Sequence, residues 1–230
     1  MLMAVLGLVA ALIAGLTVVT RDSGTRSASP VAGAPAQGPA PDQKPVDAAG
    51  LPGLLLAAGE VADVMGVPGL SSAAPVTVGK PRANTATPPE CTGAVDPANQ
   101  ATYRDANFTG LAGQVLTDTG DPKTTVEQFV VSFVNAEDAA RFHDAQNTAW
   151  MSCASTTVTL AVGSEPAREI SVGPLESPEG QIAVELKETG RACQRSLSSD
   201  SNVVIDIKTC TASGGQQAQA IASKIAERIG

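Results

Sequence analysis

The sequence has 230 residues, of which 43% are hydrophobic and 17% charged, enough for one ordinary domain plus additional segments. Its formal net charge is −8, and no cluster of Lys and Arg stands out after residue 50. This argues against nucleic acid as a partner, because such binding depends on cations that displace the counterions of phosphates. Aromatic residues make up 3%, so the core must consist mainly of Val, Ile, Leu and Ala.

The first twenty residues carry no charged side chain and are long enough to cross a bilayer as a helix. We predict that residues 1–20 are a signal anchor that contacts the membrane, with a cleaved signal peptide as the alternative. Arg21 and Arg26 follow this run, which the positive-inside rule associates with the opposite orientation; one hypothesis is that the natural start lies upstream. Residues 21–50 are rich in Pro, Ala and Gly and predict a linker before a domain at 51–230.

Local patterns predict three helices and seven strands. The helices are expected at 54–66, at 135–151 with Asn135 as the N-cap, and after Ser213, which forms a capping box with Gln216. The strands are expected at 112–117, 127–134, 156–162, 168–172, 181–187, 192–197 and 202–209, with a further edge strand considered at 76–79. Together they predict an α+β fold: a twisted, mostly antiparallel sheet of five to seven strands packed with about three helices.

The last two predicted strands form a hairpin around a polar Ser-Ser-Asp-Ser turn. If Leu197 pairs near Val203, Arg195 lies among aliphatic side chains, while Asp206 and Lys208 point to the other face. A charge in such surroundings needs a partner or a route to water. We interpret Arg195 as a structural ion pair or a snorkelling side chain, with an anion-recognising group that lines a cleft as the alternative.

Tyr103 and Trp150 are the single Tyr and the single Trp of the chain. We interpret them first as core anchors and second as platforms against which a ligand could stack. The candidate binding residues are therefore Arg195, Tyr103 and Trp150.

Four cysteines behind an export-like N terminus predict two disulfides, for which three pairings exist. Chain locality favours Cys193–Cys210, because these residues flank one hairpin, and Cys91–Cys153 then remains. The rival interpretation is a metal site, but the chain has no C-x-x-C spacing and only one histidine, His143, so no metal is expected.

Catalytic signatures are missing from the sequence. It contains no G-x-S-x-G, H-E-x-x-H or S-x-x-K motif, and the kinase motifs H-R-D and D-F-G are also absent. His143 is interpreted as a structural or surface residue, and the acidic pair Glu185 and Glu188 as part of a solvated face. We therefore predict that the chain is not an enzyme and needs no cofactor.

Six sequence blocks carry a family resemblance. They are LLLAAGEVADVMG at 54–66, ECTG at 90–93, FVVSFVNAEDAARFHDAQNTAWMSC at 129–153, ACQRSL at 192–197, NVVIDIKTC at 202–210 and QAIASKIAERI at 219–229. In this order they resemble the extracellular sensor domain of PknH-type mycobacterial serine/threonine kinases. The resemblance covers residues 51–230 and implies the same two disulfides.

The resemblance implies a non-catalytic, extracytoplasmic domain that senses or binds a ligand, and the apolar run at 1–20 predicts that a single-pass anchor holds it at the cell membrane. It would be secreted if residues 1–20 were cleaved. The expected partner is an unknown cell-envelope small molecule or protein. The alternatives are an exported hydrolase without a recognisable motif and a structural envelope interaction protein. An enzyme should show converging acid, base or nucleophile groups, and a structural protein a flat apolar patch.

Overall fold

The computed structural model describes residues 44–230, which belong to the compact unit Pro41–Gly230. The predicted anchor and most of the predicted linker lie outside these residues. Within residues 44–230, no helix is both long and apolar enough to cross a membrane. The end of the predicted linker contacts the domain, because the backbone N–H of Val46 donates to Oδ1 of Asn202 at 2.8 Å.

Five α-helices occur among the described residues. They are α1 (Ala58–Met65), α2 (Thr92–Val95), α3 (Gln100–Tyr103), α4 (Ala136–Cys153) and α5 (Gln217–Ala226), with short 3₁₀ turns at Leu51–Leu54, Pro89–Cys91 and Pro178–Gly180. The cap predicted for α4 is confirmed, since Oδ1 of Asn135 accepts the backbone N–H of Asp138 at 2.8 Å. The single-turn helices α2 and α3 are too short to show a helical period in the sequence.

The predicted capping box of the last helix is wrong. The N-cap of α5 is Gln216, and its side chain makes no capping hydrogen bond. Gly214 and Gly215 have φ angles of 78° and 144°, which glycine adopts without strain and a helix cannot contain. The helix therefore starts after these two glycines and not at Ser213.

One antiparallel sheet forms the centre of the domain. Its strands are β1 (Ser71–Ser72), β2 (Thr77–Val78), β3 (Thr85–Thr87), β4 (Gly110–Thr117), β5 (Thr125–Ser132), β6 (Thr157–Ala161), β7 (Arg168–Glu176), β8 (Ile182–Glu188), β9 (Arg191–Asp200) and β10 (Val203–Thr211). The spatial order is β1-β4-β5-β10-β9-β8-β7-β6-β3, and β2 also pairs with β4.

The α+β class and the antiparallel sheet are confirmed, but the predicted count of five to seven strands is wrong. Residues 44–230 contain ten strands, and the seven long ones, β4 to β10, correspond to the seven predicted runs. The three extra strands contain two or three residues each. β2 lies within the edge strand considered at 76–79, whereas β1 and β3 leave no period-2 pattern in the sequence and only their partners β4 and β6 could be predicted.

The two faces of the sheet are covered by different helices. On one, which we call the α5 face, α1 and α5 cover aliphatic residues that include Val130, Ile205 and Ile207. On the other, the α4 face, the sheet is covered by α2, α3 and α4. Residues of the sheet and of these helices, including Val131, Val204 and Trp150, form a second buried cluster there. Strand β10 lies at the centre and is buried on both sides, as the alternation of its side chains requires.

Both disulfides belong to the α4 face. Cys91–Cys153 links the 3₁₀ turn before α2 to the end of α4, across 62 residues of sequence. Cys193–Cys210 joins directly paired residues of β9 and β10, which are 17 residues apart. These cross-links hold the helical cover and the central hairpin together.

We expect Gly113→Ala to lower the free energy of unfolding by about 1–3 kcal/mol. A Cβ atom on Gly113 would lie 2.0 Å from Cδ1 of Phe129, the residue it pairs with on β5. Phe129 is buried in the α4 face and has little room to move. Chemical denaturation measures the change. The matched control Gly59→Ala in α1 meets no atom within 4 Å and should stabilise by up to about 1 kcal/mol; an unchanged Gly113→Ala would contradict this packing.

Candidate functional site

The β9–β10 hairpin has a different register from the predicted one. Leu197 pairs with Asp206 and not with a residue near Val203. Side chains of a strand alternate between the two faces of the sheet. A register shift of three positions, an odd number, therefore places each β9 side chain on the same face as the β10 side chains that were predicted to lie on the opposite face. Arg195 therefore lies on the same face as Asp206 and Lys208, and its predicted place among aliphatic residues of β10 is wrong.

The register follows from the turn. Both strands run on through the polar residues as far as Asp200, and only Ser201 and Asn202 connect them. Ser201 has a φ angle of 48°, as the favoured two-residue hairpin turns require. The side chain of Asn202 donates to the carbonyl oxygens of Phe133 at 2.8 Å and Val46 at 2.9 Å. These long-range bonds anchor the turn to the rest of the domain.

A buried ion pair joins Arg195 on β9 to Asp206 on β10. Their Nη1 and Oδ1 atoms are 2.6 Å apart, and the side chains are 1% and 2% exposed. Arg195 also donates to the carbonyl oxygens of Ile207 at 2.7 Å and Gly93 at 2.8 Å. Oδ1 of Asp206 accepts no well-aligned hydrogen bond from the described residues, so its contact with the guanidinium is mainly Coulombic. Oδ2 accepts the backbone N–H of Ala98 at 2.8 Å.

The structure brings the three predicted binding residues together. The hydroxyl of Tyr103 donates to Oδ2 of Asp206 at 3.0 Å, and the guanidinium carbon of Arg195 lies 4.9 Å from the ring centre of Trp150. Arg195, Tyr103 and Trp150 are each 1% exposed. Arg195 contacts Trp150 directly and is linked to Tyr103 through Asp206, and none of the three faces solvent, so a direct binding role for them stays a prediction.

Burial raises the pKa of Tyr103 well above its ordinary value, and the nearby carboxylate of Asp206 raises it further. The phenol therefore stays protonated at neutral pH and acts as a hydrogen-bond donor. Its ring stacks on Phe142 of α4 with a centroid distance of 4.6 Å. Tyr103 thus ties α3 to both the sheet and α4.

A second charged group continues along the α4 face from Lys208. Nζ of Lys208 contacts Oε1 of Glu188 at 3.0 Å and the carbonyl oxygen of Val95 at 3.2 Å. Oε2 of Glu188 accepts Nε and Nη2 of Arg191 at 3.0 and 2.8 Å, and Nη1 of Arg168 at 3.3 Å. One carboxylate, with a side chain 4% exposed, therefore faces three cations.

This second group reaches the surface at the β8–β9 turn. An open cavity of about 490 Å³ lies there, lined by Ala167, Arg168, Glu169, Glu188, Thr189 and Arg191. Another open cavity of about 520 Å³ lies between α1 and α5, where the charged rim residues Glu60 and Arg228 pair with each other. The first cavity is the one that continues the buried charges of the α4 face.

We expect Glu188 to make the free energy of unfolding depend on pH in the acidic range. Burial alone would raise its pKa, but Lys208 and Arg191 lower it from 4.5 to about 2. Because the folded pKa lies below the unfolded one, this carboxylate stabilises the fold above about pH 4.5, and the contribution is lost as the pH falls towards 2. Wild type should therefore lose more unfolding free energy between about pH 5 and about pH 3 than Glu188→Gln does.

Urea denaturation at both pH values measures this difference. Glu185→Gln is the matched control, because Glu185 lies on the same strand but is exposed, and its pH profile should follow that of the wild type. A Glu188→Gln profile parallel to that of the wild type would contradict the ion pairs assigned to Glu188.

Sequence reasoning missed Glu188 and Lys208. The prediction that Glu185 and Glu188 share a solvated face is wrong for Glu188, because three cations from neighbouring strands enclose it. A usable signal was present in β10, where Asp206 and Lys208 alternate with isoleucines. Two charges at i and i+2 of a buried strand share a face and both need partners there.

Neither a metal site nor a catalytic histidine emerges from the described residues. Nδ1 of His143 contacts its neighbour Asp144 at 3.3 Å. Glu188, Cys193 and Cys210 place three ligand-type atoms within 4.8 Å of one another. However, the two sulfur atoms form a disulfide and Glu188 is enclosed by cations, so this set does not fit a metal ion.

Comparisons with known sequences agree with one another. The family described as "PknH-like extracellular domain" matches residues 46–228. The chain is 31% identical over 194 residues to the serine/threonine-protein kinase PknH of Mycobacterium bovis. The matched region covers 83% of this chain and 33% of the kinase. It is 30% identical over 194 residues to PknH of Mycobacterium tuberculosis, and this match covers 83% of this chain and 31% of that kinase. The chain therefore spans about a third of the length of these relatives.

The fold is also similar to a solved structure. The crystal structure of the extracellular domain of PknH from Mycobacterium tuberculosis matches with a TM-score of 0.76 and 27% identity, covering 82% of this chain and 98% of that one. The family match, the sequence relatives and the solved structure thus point to the same domain. This chain belongs to the PknH-like extracellular domain family.

Proposed function

We propose that this chain is a non-catalytic, extracytoplasmic domain that senses or binds a ligand, either a small molecule or a protein of the cell envelope. The observation that carries the proposal is the family match over residues 46–228, because it falls on the extracellular part of the related kinases. Since the chain spans about a third of those kinases, the proposal takes over only the extracellular role.

In this proposal residues 1–20 tether the domain to the cell membrane, and cleavage of that segment would release it. The two disulfides support a location outside the cytoplasm, because such bonds persist in oxidising compartments. Intact-mass measurement of the protein from membranes and from culture medium tests this placement. A membrane-bound chain that retains residues 1–20 supports the anchor, a shortened chain in the medium supports the released form, and a reduced cytoplasmic chain contradicts both.

The titratable groups of the α4 face favour binding over catalysis. General acid–base catalysis works best when a group has a pKa near the working pH. Lys208 and Arg191 instead overcome the effect of burial and lower the pKa of Glu188 to about 2, and burial raises that of Tyr103. Each group is thereby held in its ordinary charge state at neutral pH. Fixed charges of this kind suit electrostatic recognition better than proton transfer.

The predicted binding residues have a supporting place in this proposal. Arg195, Tyr103 and Trp150 are each 1% exposed and would meet a ligand only if the helical cover of the α4 face opened. The cavity beside Arg168 and Arg191 is the part of the α4-face charges that is open to solvent.

Native mass spectrometry of the full chain in detergent micelles, before and after incubation with cell-envelope extract, tests the proposal. A discrete added mass that is absent when the chain is first reduced and unfolded supports ligand binding. A defined protein captured by cross-linking, again only by the folded chain, supports a protein ligand. If neither is captured, the binding role is contradicted and a structural role is favoured.

A further inference from the structure

The charges around Glu188 are out of balance. Lys208, Arg191 and Arg168 all contact this one carboxylate, and Glu127 on β5, which is paired with Lys208, adds a second negative charge, so one positive charge remains in excess. The whole chain, in contrast, has a net charge of −8. A local excess of cations in an acidic protein is costly unless solvent or an anion compensates it.

The excess charge faces an open space. Arg168 and Arg191 line the cavity of about 490 Å³ at the β8–β9 turn, and their side chains are 36% and 20% exposed. Arg168 makes a single side-chain hydrogen bond, from Nη1 to Glu188 at 3.3 Å, so its Nη2 has no hydrogen-bond partner among the described residues. This guanidinium therefore keeps unused donors beside the cavity.

The other acidic residue of the cavity does not balance these cations. Glu169 follows Arg168 on β7, so the two side chains leave the strand on opposite faces. Lys208 lies behind Glu188 and is 3% exposed, so it adds positive potential without contacting solvent freely. The cavity thus presents two guanidinium groups over a deeper ammonium group.

We propose that the cavity between Arg168 and Arg191 binds the phosphate group of a phosphate monoester. Such a group carries about −1.5 to −2 charges at neutral pH, so the two guanidinium groups that line the cavity attract it. Guanidinium forks also bind two phosphate oxygens at once, which makes two arginines an effective clamp. The inference rests on the proposed function, because it names a chemical class for the ligand and places its charged end.

Titration of the full chain in micelles with inorganic phosphate, followed by ³¹P NMR in a chloride buffer of constant ionic strength, tests the site. Arg168→Gln should weaken binding about tenfold, because a charge-assisted hydrogen bond is lost. The matched control Arg141→Gln removes an exposed arginine of α4 that pairs with acidic residues of its own helix, and should bind phosphate as the wild type does. Circular dichroism establishes that each variant is folded.

Glu188→Gln provides a test of opposite sign. It removes the carboxylate that competes with phosphate for Arg168 and Arg191, so phosphate should bind more tightly to this variant than to the wild type. A merely structural role for the two arginines would not produce this gain. Equal affinities of wild type, Arg168→Gln and Arg141→Gln would overturn the proposal, as would no binding up to about 10 mM phosphate, about tenfold above a millimolar Kd.

A further titration distinguishes the two possible sources of the phosphate group, a lipid headgroup and a free phosphate ester. Glycerol 3-phosphate is titrated into the full chain in phosphatidylcholine nanodiscs, with and without phosphatidic acid in the bilayer. Arg168-dependent binding that phosphatidic acid weakens identifies a lipid headgroup, and binding that it leaves unchanged identifies a free ester. No Arg168-dependent binding in either bilayer overturns the inference.

The outcomes also separate this inference from the proposed function. An envelope compound captured equally by wild type and Arg168→Gln leaves the proposed function standing and overturns the phosphate site. Phosphate binding that depends on Arg168, without any captured envelope component, supports the site and contradicts the wider proposal.

Discussion

Arg195→Met should lower the free energy of unfolding by about 3–5 kcal/mol, the loss expected when one partner of a buried ion pair is removed. The variant leaves Asp206, 2% exposed, without the cation that lies 2.6 Å away in the wild type. It also removes the donors to Gly93 and Ile207, which tie α2 and β10 to β9. Denaturation in urea, monitored by circular dichroism, measures the loss.

Two further variants sharpen this test. Arg141→Met removes an arginine whose side chain is 65% exposed and pairs within α4, so it should cost less than about 1 kcal/mol. Adding Asp206→Asn to Arg195→Met removes the uncompensated charge while keeping an acceptor for Tyr103, so part of the stability should return. A loss from Arg195→Met no larger than that from Arg141→Met would show that the buried pair is not as described.

Replacing Cys91 and Cys153 by Ala should cost about 4 kcal/mol, because the disulfide closes a loop of 62 residues and restricts the unfolded chain. Both residues are almost fully buried, and Ala leaves no polar group in their place. The bond also fixes the 3₁₀ turn before α2 to the end of α4, so the cover of the α4 face should loosen with it. Calorimetry and urea denaturation of the oxidised proteins measure the change.

The second disulfide is the matched control. Cys193→Ala with Cys210→Ala opens a loop of 17 residues and should cost about 3 kcal/mol, less than the first pair. The strands that it joins are already paired through the backbone of the hairpin. A larger loss from this shorter loop would contradict the view that loop closure governs both effects.

The long elements of the fold could be predicted because their signals are local. β4 to β10 follow runs rich in β-branched residues, and Asn135 marks the start of α4 by its own hydrogen bond. Of the short strands, only β2 falls within a considered run, at 76–79; β1 and β3 could not be predicted, since each exists only by pairing with β4 or β6. Ser213 failed as a cap because the two glycines after it favour a turn.

The candidate site could be predicted in its residues but not in its geometry. The need of Arg195 for a partner followed from its position in a strand predicted to be buried, although the aliphatic neighbours predicted for it were wrong, and Tyr103 and Trp150 were singled out by their rarity. The partner, Asp206, depended on a hairpin register that the distant contacts of Asn202 stabilise. Glu188 was missed for the same reason: the cations that enclose it come from other strands.

The claim that this chain binds without catalysing is tested most directly by following a captured compound over time. The full chain is incubated with a molar excess of the compound that it retains from envelope extract, and both bound and free compound are measured by mass spectrometry. Our account predicts a complex of fixed stoichiometry and a free compound of unchanged mass. A product that accumulates beyond one equivalent per chain would contradict it.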